Sequence, residues 1–171
     1  MANAIAHIII PLIFFEAIRH YLSDEKQFPR YIVLVGGIAG LLPDIDIPLS
    51  WLASFILGRE INFHGYFTHT ILFALVFFFL FVVYYFIRRS KISKNINHSH
   101  APLIFLVISI GIMFHLVLDC SFGGYSFFWP FSDANYCLAL IPHELAVPLD
   151  AIMLVVWLVH EEVKHKIKAY F

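Results

Sequence analysis

The sequence predicts an all-α protein, a multi-pass transmembrane helical bundle in one integral membrane domain spanning residues 1–171, and three observations carry that prediction. Hydrophobic residues make up 61% and charged residues only 13% of the chain, far from the balance of a soluble domain. Mean hydropathy is +0.83. Apolar stretches of helical length recur along the whole sequence, with charges gathered between them. Net charge is -1 with no basic stripe, which offers no electrostatic footprint for nucleic acid. No internal repeat or linker divides the chain, so about four to five membrane segments are expected, one or two of them short or re-entrant.

Ala4 to Tyr21 is apolar apart from His7, Glu16, Arg19 and His20. With no positive charge before it and no small-residue cleavage site after it, it reads as a retained helix, kinked at Pro11. The polar run Ser23 to Arg30 closes a loop. Tyr31 to Leu42 is the second segment, and Gly36 with Gly40 gives it a small-xxx-small face for close helix contact. At about 1.5 Å per residue it covers only about 18 Å of a roughly 30 Å hydrocarbon core. Its end therefore falls below the membrane surface or re-enters.

That end, Gly40 to Pro48, is the most expensive stretch in the chain, because Asp44 and Asp46 stand one residue apart between prolines in apolar sequence. Pro43 is expected to push Leu42 out of helical geometry and leave both aspartates on irregular backbone. Two such anions repel unless a cation lies between them, which points to a metal; an Asp turn capping the next helix, Ile47 to Leu57, is the alternative. Tyr66 to Ile87 is the clearest span, ending in Arg88, Arg89, Lys91 and Lys94, and Ala101 to Asp119 is the next. Cys120 to Pro142, rich in Gly, Phe, Tyr and Trp, is expected to be a structured loop at headgroup level. Leu145 or Pro148 opens the last helix, which ends in Glu161, Glu162, Lys164, Lys166 and Lys168.

The basic clusters after Ile87 and His160, with Arg19, Lys26 and Arg30, mark those ends as cytoplasmic. The C-terminus is then inside. Threading the segments sends His7, His64, His69, His115 and His143 to the outer end with Asp44, Asp46 and Asp119, and sends His20, His98, His100, His160 and His165 to the inner end. His115 and Asp119 are four apart and share a helix face. Singly, each is explained as a core histidine or a cap. Together, three separate segments placing His or Asp at one depth point to a shared metal centre, since polar groups in a bilayer are costly. Imidazole and carboxylate donors without a thiolate set suit zinc first, then manganese or iron, and the number of donors allows two or more ions or one with an open position. Two ions about 3.5 to 4 Å apart activate water and polarise a phosphoryl oxygen.

The run Leu41-Leu42-Pro43-Asp44-Ile45-Asp46, then His64 and Thr68-His69-Thr70, then His115 and Asp119, then Trp129-Pro130-Phe131-Ser132, resembles in order the landmarks of a known family. These are the small multi-pass membrane-bound metal-dependent hydrolases that include the YdjM-like inner-membrane proteins, themselves similar to zinc-dependent phospholipase C. The resemblance implies that His7, Asp44, Asp46, His69, His115 and Asp119 are metal ligands and that the reaction is hydrolytic. Asp46 and His64 are the candidate catalytic groups, and His64, His143 and Asp150 are further candidate ligands. Trp129, Phe131 and Ser132 are expected on the substrate loop. One departure stands out: the family has Arg and Gly after the position of His64, whereas this chain has Gly65 and Tyr66, which leaves phosphate recognition to another cation such as Arg59.

The expected activity is hydrolysis of a phosphoester or lipid headgroup at the outer interface, with membrane lipid as partner or substrate. The competing reading is a non-catalytic metal-binding membrane protein serving transport or regulation. Cys120 and Cys137 bracket the aromatic loop, and three readings stay open for them: a disulfide clasping an apolar lip, two separate thiols, or Cys120 as a ligand.

Overall fold

The computed structural model describes residues 4–23, 27–89 and 100–165. Lys26, Lys91, Lys94, His98, Lys166 and Lys168, named above in the topology argument, lie outside the described residues. Six α-helices run in order: α1 (Ala4–Tyr21), α2 (Arg30–Ala39), α3 (Asp46–Leu57), α4 (Ile71–Arg89), α5 (Ala101–Ser121) and α6 (Ala146–His165). Short 3-10 turns precede α3, α4 and α6, at Pro43–Ile45, Phe67–His69 and His143–Leu145. No strand occurs among the described residues, so the chain is an all-helical membrane bundle.

Three helices, α1, α4 and α5, are long and apolar enough to cross a membrane. A fourth apolar stretch is made by α2 together with Pro43–Leu57, bent by 57° at the break. α4 shows what bilayer residence does to a helix: only Ala74 is buried, while Phe79 and Phe86 face outward. In water that surface would aggregate; in hydrocarbon it is matched to its solvent.

α5 is the axis of the bundle. On one side it meets α1 and α2 through a buried cluster of Phe15, Phe28, Ile32, Val33 and Val107. On the other it meets α4 through Ala74, Ile112 and Leu116, and the Ser109 hydroxyl donates to the Ala74 carbonyl at 2.9 Å. The small face expected on α2 is used. A Cβ on Gly36 would strike the Phe15 ring, and one on Gly111 would lie 2.7 Å from Ala39 Cβ and 2.9 Å from the Gly36 carbonyl, so α2 and α5 cross nearly backbone to backbone. α6 starts against the N-terminal end of α1, where Ala6, Phe122 and Ala146 form a third cluster.

The break after α2 differs from expectation. Leu42 keeps right-handed helical angles (φ -61°, ψ -36°) despite preceding Pro43. A series of short-range bonds outweighs the steric preference: Leu42 N–H donates to the Ala39 carbonyl, Asp44 to Leu41 and Ile45 to Leu42, at 3.1 to 3.2 Å. The chain therefore turns continuously through 3-10 geometry. Asp44 lies in that turn and Asp46 is already the first residue of α3.

The aromatic loop is closed by a disulfide between Cys120 and Cys137, whose Cα atoms are 4.8 Å apart. Of the three readings left open by the sequence, the structure takes the clasp.

Candidate metal centre

Three helix ends deliver the side chains. The 3-10 turn after α2 supplies Asp44, the 3-10 turn before α4 ends at His69, and His115 and Asp119 stand one turn apart near the end of α5. His69 Nε2 lies 3.4 Å from Asp44 Oδ1 and 3.9 Å from Asp119 Oδ2. His115 Nε2 lies 3.8 Å from Asp44 Oδ1 and 3.4 Å from Asp119 Oδ2. These separations are long for hydrogen bonds. The two at 3.4 Å match the edges of a tetrahedron around an ion bonded at about 2.0 to 2.2 Å, whose donors stand about 3.3 to 3.6 Å apart, and the other two are a few tenths of an ångström longer.

The tautomers follow from the partners on the far side of each ring. His115 Nδ1 lies 2.7 Å from the Gly40 carbonyl, which can only accept, so Nδ1 carries the proton and Nε2 a lone pair. His69 Nδ1 lies 3.2 Å from Thr68 Oγ1, whose own proton goes to Asp46 Oδ2 and which therefore accepts, and 3.1 Å from that carboxylate oxygen; both fix the same tautomer. Neither Nε2 has a hydrogen-bond partner although both are buried. With both imidazoles neutral, two lone pairs and two carboxylate oxygens point into one volume. Such a cluster could hold a metal ion.

His7 flanks this ring. Its imidazole stacks on His115 with centroids 3.9 Å apart, and its Nε2 is 3.4 Å from Asp119 Oδ1. His7, His115 and Asp119 form a second group that could hold an ion, and its Nδ1 is buried without a partner.

Asp46 is placed differently from Asp44. Its Oδ2 accepts the Thr68 hydroxyl at 2.7 Å and stands 3.1 Å from His69 Nδ1, whose N–H donates to Thr68 Oγ1 at 3.2 Å, and its Oδ1 accepts His64 Nδ1–H at 2.8 Å. With His64 and His69 it makes a third group within ligand reach, but its bonds describe a carboxylate that orients two imidazoles. His64 arrives there because the chain returning from α3 is fastened to that helix: Phe63 N–H donates to Ser50 Oγ and Ile61 N–H to Ser54 Oγ, both at 2.9 Å.

Tyr125, in the aromatic loop, is a residue of the cluster that the sequence did not single out. Its hydroxyl is 2.9 Å from His64 Nε2, and its ring packs edge-on against His69 at 4.8 Å. Since His64 Nδ1 donates to Asp46, Nε2 accepts, and Tyr125 O–H is the donor. Burial, then the negative charges of Asp119, Asp44 and Asp46, raise the hydroxyl above its ordinary pKa and keep it protonated. Gly65 makes room for it. With φ +86°, and with a Cβ there only 2.8 Å from the Tyr125 ring, a side chain at this position would be strained. Arg59 is not at the cluster, since it lies past the far end of α3, whose last residue is about 17 Å from Asp46 along the helix axis.

The remaining candidates fall outside the cluster. His143 lies before α6 with its ring 6.2 Å from Phe122. Asp150 is buried on α6 beside the first turn of α1, near the backbone of Ile5 and Ala6. Trp129 meets Tyr66 edge-on, Phe131 is 82% exposed, and Ser132 Oγ accepts the Ala134 N–H. Access is from one side: the side chains of His69, His115 and Asp119 are at most 1% exposed, against 23% for Asp44 and 17% for His64.

The family model described as YdjM inner membrane protein matches residues 1–170. No curated protein and no solved structure matches the chain.

Proposed function

The chain belongs to the YdjM inner membrane protein family, and from that premise we propose that it is a membrane-embedded, metal-dependent hydrolase acting on a phosphoester or lipid headgroup. The observation that carries the reading is the ring of Asp44, His69, His115 and Asp119, with two buried Nε2 lone pairs facing two carboxylates. These four residues would hold the ion, with His7 at its edge. Zinc suits two imidazoles and two carboxylates best; manganese or iron accepts the same donors, and the neighbouring groups leave room for a further ion. A divalent ion there supplies Lewis acidity toward a substrate oxygen and makes water more acidic.

The protein's own groups do the rest. Gly40 and Asp46 hold the two imidazoles in the donor tautomer. His64, with Nδ1–H on Asp46, has a basic Nε2 that can exchange a proton with a reacting oxygen on the exposed side of the cluster. Tyr125 Oη is a protonated donor beside it, suited to a developing negative charge. Burial of His69, His115 and Asp119 keeps bulk water away from every direction but one.

A transport role needs polar groups continuing through the bilayer. Between this cluster and Arg19 the bundle is filled by Phe15, Ile32, Val33 and Val107, which favours a site working at one interface. The basic ends, Arg19 and Arg30 on α1 and α2 and Arg88 and Arg89 on α4, all lie at the opposite end of their helices. By the positive-inside rule the cluster then faces outward and the C-terminus is cytoplasmic.

The test is metal analysis of purified protein together with a screen of phosphomonoester, phosphodiester and phospholipid substrates. Bound transition metal and hydrolysis, both lost in His69→Ala and Asp119→Asn, are expected. Hydrolysis that survives those changes and metal depletion would refute the reading.

A further inference from the structure

A cavity of about 400 Å³ lies at the opposite end of the bundle from the metal cluster, between α1, the start of α2 and the last turns of α6. It shares no residue with the ligand ring. Among the described residues, two carboxylates and two guanidinium groups line it: Glu16 and Arg19 on α1, Arg30 on α2 and Glu161 on α6. Leu12, Ile13 and Trp157 line the same cavity, so charged and apolar surfaces enclose one volume. At about 1.5 Å per residue the stretch from Leu12 to Tyr21 covers about 14 Å, half of a roughly 30 Å hydrocarbon core. The cavity therefore runs from mid-bilayer to the end that carries the basic residues. Both environments of that leaflet reach it, since Ile13 is exposed partway along a helix apolar enough to span and Tyr21 is exposed at its polar end.

Charges at this depth are costly. Arg19 and Glu161 are both buried, and ionised groups are kept in such places where they pair or bind. Arg19 Nη1 donates to Glu16 Oε1 at 2.9 Å, which ties two of the four groups along α1 without closing the cavity. Trp157 Nε1, in the α6 wall, is buried with no hydrogen-bond partner, and an indole N–H can only donate. The mixed lining discriminates among ligands: a plain anion would face Glu16 and Glu161, a plain cation would face Arg19 and Arg30, and a zwitterion meets both pairs. Leu12 and Ile13 then suit hydrocarbon attached to it, and the volume falls in the range of small-ligand pockets. We propose that this cavity binds a zwitterionic, amine-bearing phospholipid from the leaflet at the basic end of the bundle. Its phosphate lies on Arg19 and Arg30, its ammonium on Glu16 and Glu161, an ester oxygen on the Trp157 N–H, and the start of one acyl chain along Leu12 and Ile13. Ala6, Phe122 and Ala146 fasten α6 to α1 at the other end, so the lipid completes the seam between these two helices.

The experiment uses the full chain in detergent, with native mass spectrometry measuring retained lipid as phosphatidylethanolamine, phosphatidylcholine and phosphatidylglycerol of identical chains are offered in turn. Phosphatidylethanolamine should be retained several-fold more tightly than the others, because choline has no N–H for the carboxylates and the glycerol headgroup carries no cation. Glu16→Gln removes a carboxylate and should turn the preference toward phosphatidylglycerol. Arg30→Gln, at an exposed helix start, should weaken phosphatidylethanolamine retention several-fold, as should Trp157→Phe, which keeps a ring and loses the N–H. Wild-type helical circular dichroism identifies the variants that are folded. Equal retention of the three lipids by the wild type, or retention unmoved by both Arg30→Gln and Trp157→Phe, would overturn the proposal. Glycerophosphoethanolamine, the soluble headgroup, should fail to displace the lipid at equal concentration; displacement would assign the site to a soluble zwitterion and overturn the lipid assignment.

Discussion

Replacing Asp46 separates the two roles a carboxylate can play in this cluster. Asp46 bonds the Thr68 hydroxyl and His64 Nδ1 and lies 3.1 Å from His69 Nδ1, which Thr68 also holds, so Asp46→Ala removes the carboxylate that aims two imidazoles, one directly and one with Thr68, and no member of the four-atom ring. Loss of such an outer partner weakens metal binding by about 10- to 100-fold, or about 1.4 to 2.7 kcal/mol. Asp44→Ala or Asp119→Ala removes a charged donor and should empty the centre. Asp46→Asn falls between them and the wild type. Its amide oxygen can keep Thr68 and His69, while its N–H₂ faces His64 Nδ1, which accepts once the imidazole proton moves to Nε2 and bonds Tyr125. Competition with a chromogenic zinc chelator on detergent-purified protein measures the series. The expected order of affinity is wild type, Asp46→Asn, Asp46→Ala, then Asp44→Ala with no retained metal. Asp46→Ala emptying the centre as completely as Asp44→Ala would make Asp46 a ligand and refute the tautomer argument. Wild-type affinity in Asp46→Ala would refute the orienting role.

Three further outcomes are expected. Gly40→Ala drives a Cβ into the His7 backbone carbonyl and should cost about 1 to 3 kcal/mol, read as a lowered midpoint of thermal unfolding in detergent. Denatured, unreduced protein should show no titratable thiol, and the double change Cys120→Ser with Cys137→Ser should lower stability by up to about 3 kcal/mol with metal content unchanged. Tyr125→Phe takes the hydrogen-bond donor from His64 and leaves every ligand in place, so metal content should hold while kcat falls by about 10²-fold, the lower end for a lost acid–base or oxyanion group.

Much of the fold was legible because a bilayer allows few solutions. Backbone groups in hydrocarbon must bond within a helix, so the apolar runs at Ala4 to Tyr21 and Ala101 to Asp119 could be read almost to their ends, whereas the run from Tyr66 begins five residues early because a 3-10 turn at Phe67–His69 precedes α4. Where helical geometry competes with a local preference, the sequence misled. Leu42 before Pro43 reads as a stop, yet the bonds from Leu42, Asp44 and Ile45 carry the chain through a 3-10 turn and put Asp46 on a helix. The bringing together of His7, Asp44, His69, His115 and Asp119 was legible because depth in a membrane can be counted along a helix. The division of labour among them was not. Whether Asp46 faces the ring or the backs of two imidazoles depends on side-chain direction across a turn. Tyr125 reaches His64 from 61 positions further along the chain, with no spacing to announce it. The disulfide likewise turns on a Cα separation that only the folded loop defines.

The broken backbone at Pro43 and the tautomer of His115 are two sides of one device. Proline has no N–H, so the Gly40 carbonyl lacks the i+3 partner that Leu41 and Leu42 provide for Ile38 and Ala39. Its i+4 partner is also taken, because Asp44 N–H donates to Leu41. An unpaired carbonyl at this depth would be costly. It is met by His115 Nδ1–H at 2.7 Å from the neighbouring helix, and that bond leaves His115 Nε2 bare toward Asp44, the residue that follows Pro43. A helix that continued straight would satisfy Gly40 internally, leave Nδ1 without a fixed partner, and carry Asp44 away from the ring. The proline therefore supplies a carboxylate and orients an imidazole in one step, which is why irregular backbone and ligand cluster occur at the same point of the chain.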